Sequence, residues 1–208
     1  RGRGRSGDSP DYNISREAED VAAVVDAIGQ PVSLLGHSYG AICSLEAALL
    51  TMDNISRLVL YEPPLPTGLP MYPPGAPDRM QALIDRGELE AALELFFREI
   101  VGMPDQEFQA YRQQPVWQVR IQLAPTLPRE LTLDRSYSFN PEKFAGLQVP
   151  TLLLLGGDSP PFFRQATELL NSALPDSRVV ILPGQQHIAM DMAPELFGRE
   201  VLRFLQAY

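Results

Sequence analysis

Few side chains in this sequence could carry covalent chemistry. Ser38 sits in Gly36-His37-Ser38-Tyr39-Gly40, a G-x-S-x-G motif, with the apolar run Val32 to Leu35 before it and the helix-forming run Ala41 to Leu50 after it. A serine held on a sharp strand-to-helix turn lifts its hydroxyl clear of the sheet edge, beside the first backbone amides of the helix. Strand and helix approach closely there, so the residues two before and two after must be small, as Gly36 and Gly40 are. Ser38 is the candidate nucleophile, and the Tyr39 N–H is the candidate donor to an oxyanion.

A serine hydroxyl is a weak nucleophile at neutral pH and needs a general base, most often histidine. The chain has two histidines. His37 lies on the turn itself, where its side chain is expected to point away from Ser38. His187 follows Pro183-Gly184-Gln185-Gln186 in a loop after an apolar run, from which it can reach across a sheet edge; it is the candidate base. The imidazole then needs a carboxylate to fix its tautomer. Asp158, after Val149 to Leu155, is the favoured acid, and Glu62, directly after Arg57 to Tyr61, is its alternative.

The elements that must position these residues alternate along the chain. Ser15 is expected to cap a helix on which Ala18, Val21, Ala22, Val25 and Ile28 recur at helical spacing, with Gly29 ending it. Strands are expected over 32–35, 57–61, 149–155 and 178–182, and helices after Ser38, over 163–173 and over 194–205. Such alternation implies an α/β fold, a mostly parallel sheet with helices on both faces. Parallel strands end along one edge, so Ser38, Glu62, Asp158 and His187 converge where open α/β sheets bind ligands.

Residues 63–148 differ in character. Seven prolines between Pro63 and Pro77 predict a stiff, extended surface connection. Residues 78 to about 134 read as wholly helical, with Asp78 as a cap, Gly87 as a break, and new helices beginning at Pro104 and Pro115. The chain therefore divides into a core, 1–62 and 149–208, and a proline-rich linker with a helical subdomain, 63–148. Phe96, Phe97 and Trp117 of the subdomain, with Phe162 and Met190 near the acid and base, are candidate substrate-binding residues. Packing of a small helical core is the competing account of the subdomain aromatics.

Composition narrows the function. With 208 residues, 45% hydrophobic and 21% charged, the chain can bury one sizeable core. Its net charge of −9 argues against a nucleic-acid or anionic-membrane partner. The opening Arg1-Gly2-Arg3-Gly4-Arg5, taken alone, fits an RNA-contacting tail. The single cysteine, Cys43, excludes an intrachain disulfide and a multi-cysteine metal site. No run approaches the ~20 apolar residues of a membrane span, and no signal peptide opens the chain, so a cytoplasmic location is expected. No metal or organic cofactor is implied.

The order Ser38, Asp158, His187, the turn 36–40 and the helical insert after Glu62 resemble the α/β-hydrolase fold. Leu58-Val59-Leu60-Tyr61-Glu62-Pro63-Pro64 and the opening Arg1-Gly2-Arg3-Gly4 resemble cap-bearing bacterial hydrolases related to cofactor-free haloperoxidases and esterases. The resemblance implies that 63–148 form a cap over the active site. It also implies that the first strands, and the His-Gly loop giving a second oxyanion donor, lie upstream of Arg1. An N-terminally incomplete sheet would need an upstream segment, a partner chain or a second copy to complete it. A serine nucleophile argues against haloalkane dehalogenases and epoxide hydrolases, which use aspartate. The family acid lies in a Gly-x-x-Asp turn; here Asp158 is two residues after Gly156 and Ser159 takes the usual place, which keeps Glu62 in contention.

The expected function is that of a serine hydrolase acting on an ester or thioester of a small, largely apolar substrate. Perhydrolysis of the haloperoxidase kind, or carbon–carbon bond hydrolysis, would use the same triad. From a different class, a non-catalytic ligand-binding or interaction protein would keep the fold without turnover.

Overall fold

The computed structural model describes residues 1–132 and 137–206. They form two compact units. One contains Asp11–Thr67 and Tyr137–Tyr208, the other Arg1–Pro10 and Gly68–Ser136.

The first unit is built on four parallel strands in the order β1 (Val32–His37), β2 (Ile55–Tyr61), β3 (Thr151–Gly156), β4 (Ser177–Leu182). The central strands bury both faces and so read as continuous apolar runs: every residue of β3 is buried, as are Leu58 to Tyr61 of β2. At the edges the pattern loosens, with Leu35 on β1 43% exposed and Ile181 on β4 47% exposed. Val59, Tyr61, Leu152, Leu154 and Leu182 form one cluster with Phe197, Val201 and Phe204 of the C-terminal helix α10 (Pro194–Leu205). Alternate residues Leu58, Leu60, Leu153 and Leu155 face the other side and are buried as well.

The helix after Ser38, α2 (Tyr39–Leu50), touches β1 and β2 and is buried almost all round: Ala41, Ile42, Leu45, Ala47 and Ala48 are inaccessible. The first helix, α1 (Ile14–Ile28), packs against α2 through Ala18 and Ala22 on Ala47. Its cap is Asn13, whose side chain accepts from the Arg16 amide, and not Ser15, which lies inside the helix; Gly29 ends it in the left-handed conformation.

The second unit is helical: α3 (Ala76–Asp85), α4 (Leu89–Leu95) continuing into a π turn over Phe96–Ile100, α5 (Asp105–Arg112), α6 (Val116–Leu123) and α7 (Leu127–Glu130). Helix α3 starts one turn earlier than its sequence suggests, after Gly75, so Asp78 lies in its first turn and is not its cap. The end of the helical expectation, residues 133–134, falls outside the described residues. Two departures concern the connections. Pro63, Pro64 and Leu65 are buried in the sheet unit, so the proline-rich segment starts as core and not as surface. The arginine-glycine opening belongs to the helical unit: Arg3 pairs with Glu130 at 2.8 Å, and Arg129 reaches Asp8 at 2.9 Å. Helices α8 (Pro161–Ala173) and α9 (Ala189–Met192) complete the sheet unit.

The glycines of the turn at Ser38 differ. A Cβ on Gly36 would lie 2.5 Å from the Gly40 carbonyl and 2.6 Å from Ala41 Cα, whereas one on Gly40 would meet nothing within 4 Å. The sequence argument for small residues therefore holds at Gly36 alone. Gly36→Ala is expected to cost about 1–3 kcal/mol through overpacking. Gly40→Ala, inside a helix, should be neutral or stabilising by up to ~1 kcal/mol. Urea unfolding of both variants checks the contrast.

Candidate active site

The three strand ends β1, β2 and β4 deliver one side chain each to a common point. Ser38 follows β1 and caps α2 with φ 54° and ψ −126°, an arrangement that tilts its side chain out of the strand. Its amide still donates to the Tyr61 carbonyl at 2.9 Å, so the ladder runs through the turn. Glu62, the first residue past β2, also has positive φ, 46°, and its amide donates to Leu154 at 3.2 Å. His187 lies five residues past β4 and is 4% exposed.

Their side chains form a chain of hydrogen bonds. The Ser38 Oγ is 2.8 Å from His187 Nε2. His187 Nδ1 is 2.7 Å from Glu62 Oε2, and the other carboxylate oxygen accepts the Gly156 amide at 2.7 Å. A carboxylate only accepts, so Nδ1 carries the proton and the Nε2 lone pair is left facing the serine hydroxyl. Glu62 is wholly buried, and both of its oxygens are paired.

The carboxylate facing His187 is thus that of Glu62, which corrects the preference for Asp158. Asp158 is exposed, and its amide donates to the Gln185 carbonyl at 3.0 Å. The physical reason is reach: Glu62 emerges one strand away from Ser38 with its side chain aimed inward, while the turn after Gly156 carries Asp158 outward. A Cβ on Gly156 would clash with Ser159 Oγ and with the Gln185 carbonyl at 2.5 Å, so the loop bearing His187 lies directly on the end of β3.

Aromatic side chains hold that loop. Phe163 of α8 stacks on the His187 ring, centroids 4.5 Å apart, and Phe162 packs on Phe163 at 4.0 Å. The Tyr61 hydroxyl donates to the Gln186 carbonyl and accepts the Ala189 amide at 3.2 Å. His37 does not simply point away, as its place on the turn suggests: its Nε2 is 2.7 Å from the His187 carbonyl. Nothing in the spacing of His37 signals this contact, because it depends on where a loop 150 residues away comes to rest.

Of the other candidates, Tyr39 is buried, and its hydroxyl accepts from Tyr12 at 2.7 Å. Burial first, then that bond, pushes the phenol well above its ordinary pKa, so it stays neutral beside Ser38. Met190 packs against the sheet cluster of Tyr61, Leu152 and Phe197. Phe97 and Trp117 are each 1% exposed in the helical unit, their rings 5.8 Å apart among Phe108 and Tyr111, so core packing accounts for both. Phe96 is half-buried, edge-on to Phe97. Among the described residues there is no His, Cys, Asp and Glu grouping able to hold a metal, and no helix long and apolar enough to cross a membrane.

The parallel sheet with its packed helices agrees with what comparison with known proteins returns. The model of the alpha/beta hydrolase family matches residues 1–200. The chain belongs to the alpha/beta hydrolase family. A solved alpha/beta hydrolase from Sphaerobacter thermophilus is 35% identical with a TM-score of 0.80, covering 99% of this chain and 79% of that one. The "Putative carbamate hydrolase RutD" of Pseudomonas savastanoi pv. phaseolicola is 29% identical over 99% of this chain and 81% of its own length. N-formylmaleamate deformylase of Pseudomonas putida is 40% identical over 83 residues, 35% of this chain and 31% of the deformylase. In this chain Glu62 follows β2, the strand paired with the one that precedes Ser38.

Glu62 also has a structural consequence that Asp158 lacks. Glu62→Ala leaves the buried Gly156 amide without its acceptor and is expected to cost about 1–3 kcal/mol. Asp158→Ala, at an exposed position, should stay within about 0.5 kcal/mol of the parent. Denaturant titration of the two variants measures the difference.

Proposed function

We propose that this hydrolase is a serine hydrolase in which Ser38, His187 and Glu62 act as nucleophile, base and orienting acid. The observation that carries the reading is the unbroken sequence Ser38 Oγ, His187 Nε2, His187 Nδ1, Glu62 Oε2, with separations of 2.8 Å and 2.7 Å. In the reaction the Nε2 lone pair takes the Ser38 proton as Oγ bonds to a carbonyl carbon. The tetrahedral oxyanion is stabilised by the Tyr39 amide, at the start of α2. The imidazolium, held against the Glu62 carboxylate, returns its proton to the leaving group as the bond to carbon breaks, leaving an acyl-serine. Water then attacks the acyl carbon, giving its proton to His187, and Ser38 recovers a proton as the acid product leaves.

An ester or thioester with a small apolar acyl or alcohol part is the substrate class we favour, because Phe163, with Phe162 packed on it, gives the base an apolar neighbour. A second reading, a carbonyl bonded to nitrogen, is favoured by the two relatives whose names specify an N-formyl compound and a carbamate.

Exposure to a fluorophosphonate, followed by intact mass and peptide mapping, is expected to give one adduct on Ser38, absent in Ser38→Ala and His187→Ala. Lack of any adduct would reduce the protein to a binding module. With a p-nitrophenyl ester as substrate, Glu62→Gln should lower kcat by roughly 10⁴-fold, the scale seen when an orienting carboxylate is neutralised. Asp158→Asn should retain parental kcat, and an inverse ranking would return the acid role to Asp158.

A further inference from the structure

His37 and Tyr61 are register partners at the ends of β1 and β2, and their rings pack with centroids 5.1 Å apart. Each also holds the backbone of the loop that carries His187. The His37 ring lies 4.5 Å from the His187 ring, and its Nε2–H donates to the His187 carbonyl at 2.7 Å. Because a carbonyl only accepts, this bond requires a proton on His37 Nε2. Tyr61, wholly buried, bridges the Gln186 carbonyl and the Ala189 amide on either side of it.

We propose that His37 is a positioning residue for His187: with Tyr61 it forms a cross-strand cradle that sets the height of the imidazole above the sheet edge. This rests on the reading of Ser38, Glu62 and His187 as a catalytic triad. Ser38 and Glu62 extend hydrogen-bonded neighbouring strands, whereas His187 is separated from β4 by the loop Pro183 to Gln186. Its backbone therefore needs outside anchors, and the His37 bond is made to the carbonyl of His187 itself. Misplacement of a reacting group by about 1 Å can cost about 100-fold in rate. Loss of the anchor should therefore appear in kcat more than in KM, since His37 meets the loop backbone and not a bound substrate.

The test compares His37→Leu, which keeps the bulk and removes the donor, with His37→Gln, whose amide nitrogen reaches where Nε2 does, and His37→Asn, whose amide falls short. The rate of fluorophosphonate labelling at Ser38 and the kcat and KM for a p-nitrophenyl ester are read on each, with a melting curve as control. His37→Leu is expected to lose roughly 10- to 100-fold in labelling rate and kcat with KM little changed. His37→Gln should recover most of the loss and His37→Asn should not. Parental rates in His37→Leu, or equal losses in the Gln and Asn variants, overturn the inference alone. If His37→Leu does not fold, the Gln and Asn pair decides by the same criterion. If the parent protein is not labelled at all, the triad reading falls first and this inference falls with it.

Discussion

A carboxylate removed from water costs several kcal/mol unless it is paired and fully hydrogen-bonded. Glu62 meets that condition with nothing to spare: it is wholly buried, one oxygen takes the Gly156 amide and the other faces His187 Nδ1. Hydrogen bonds to a charged group contribute about 1.5–3 kcal/mol each, so neither can be lost cheaply. The end of β3 and the loop after β4 are thereby tied to a single side chain that emerges from β2. The geometry of the whole sheet edge follows from keeping that charge compensated.

Backbone strain is concentrated at the same edge. Ser38 and Glu62 are the non-glycine residues with positive φ among those described, and such conformations cost on the order of 1–3 kcal/mol each. Both occur at the first residue beyond a strand, and both keep their amides bonded to the neighbouring strand, at 2.9 Å to Tyr61 and 3.2 Å to Leu154. The ladder holds the amide while the side chain leaves the strand direction. What sustains this is the buried apolar body of β2 and β3, with α10 on one face and α2 close-packed beside β1.

Most of the architecture was legible because apolar runs of strand length alternate with helical periodicity, and because Gly36 and Ser38 announce a turn with one physical purpose. The limits were side-chain reach and distant contact. Asp158 and Glu62 both follow strands, and strand ends alone do not say which carboxylate turns inward; the displaced spacing from Gly156 was the one local sign that Asp158 sits awkwardly. The contact of His37 with the His187 carbonyl had no local sign. Apolar aromatics such as Phe97 and Trp117 carry the same sequence signature in a core as in a pocket, and here they meet one another. The cap of α1 shifted by two residues, from Ser15 to Asn13, because several polar residues near a helix start compete for the same orphan amides.

Pairing His187 with a carboxylate that follows β2 has a mechanical consequence that one following β3 would not. Strands β1 and β2 are hydrogen-bonded neighbours, paired Gly36 to Leu60 and His37 to Tyr61, so the separation between Ser38 and Glu62 is set by one stretch of parallel ladder. Of the three hydrogen-bonded side chains, His187 is then the one whose place the sheet does not dictate, and its loop must be located from outside. That accounts for the density of contacts on it: Phe163 against the ring, Glu62 on Nδ1, His37 on its carbonyl, Tyr61 on the flanking backbone, and Gln185 accepting from the Asp158 amide. Asp158 contributes its backbone to that loop while its side chain is exposed.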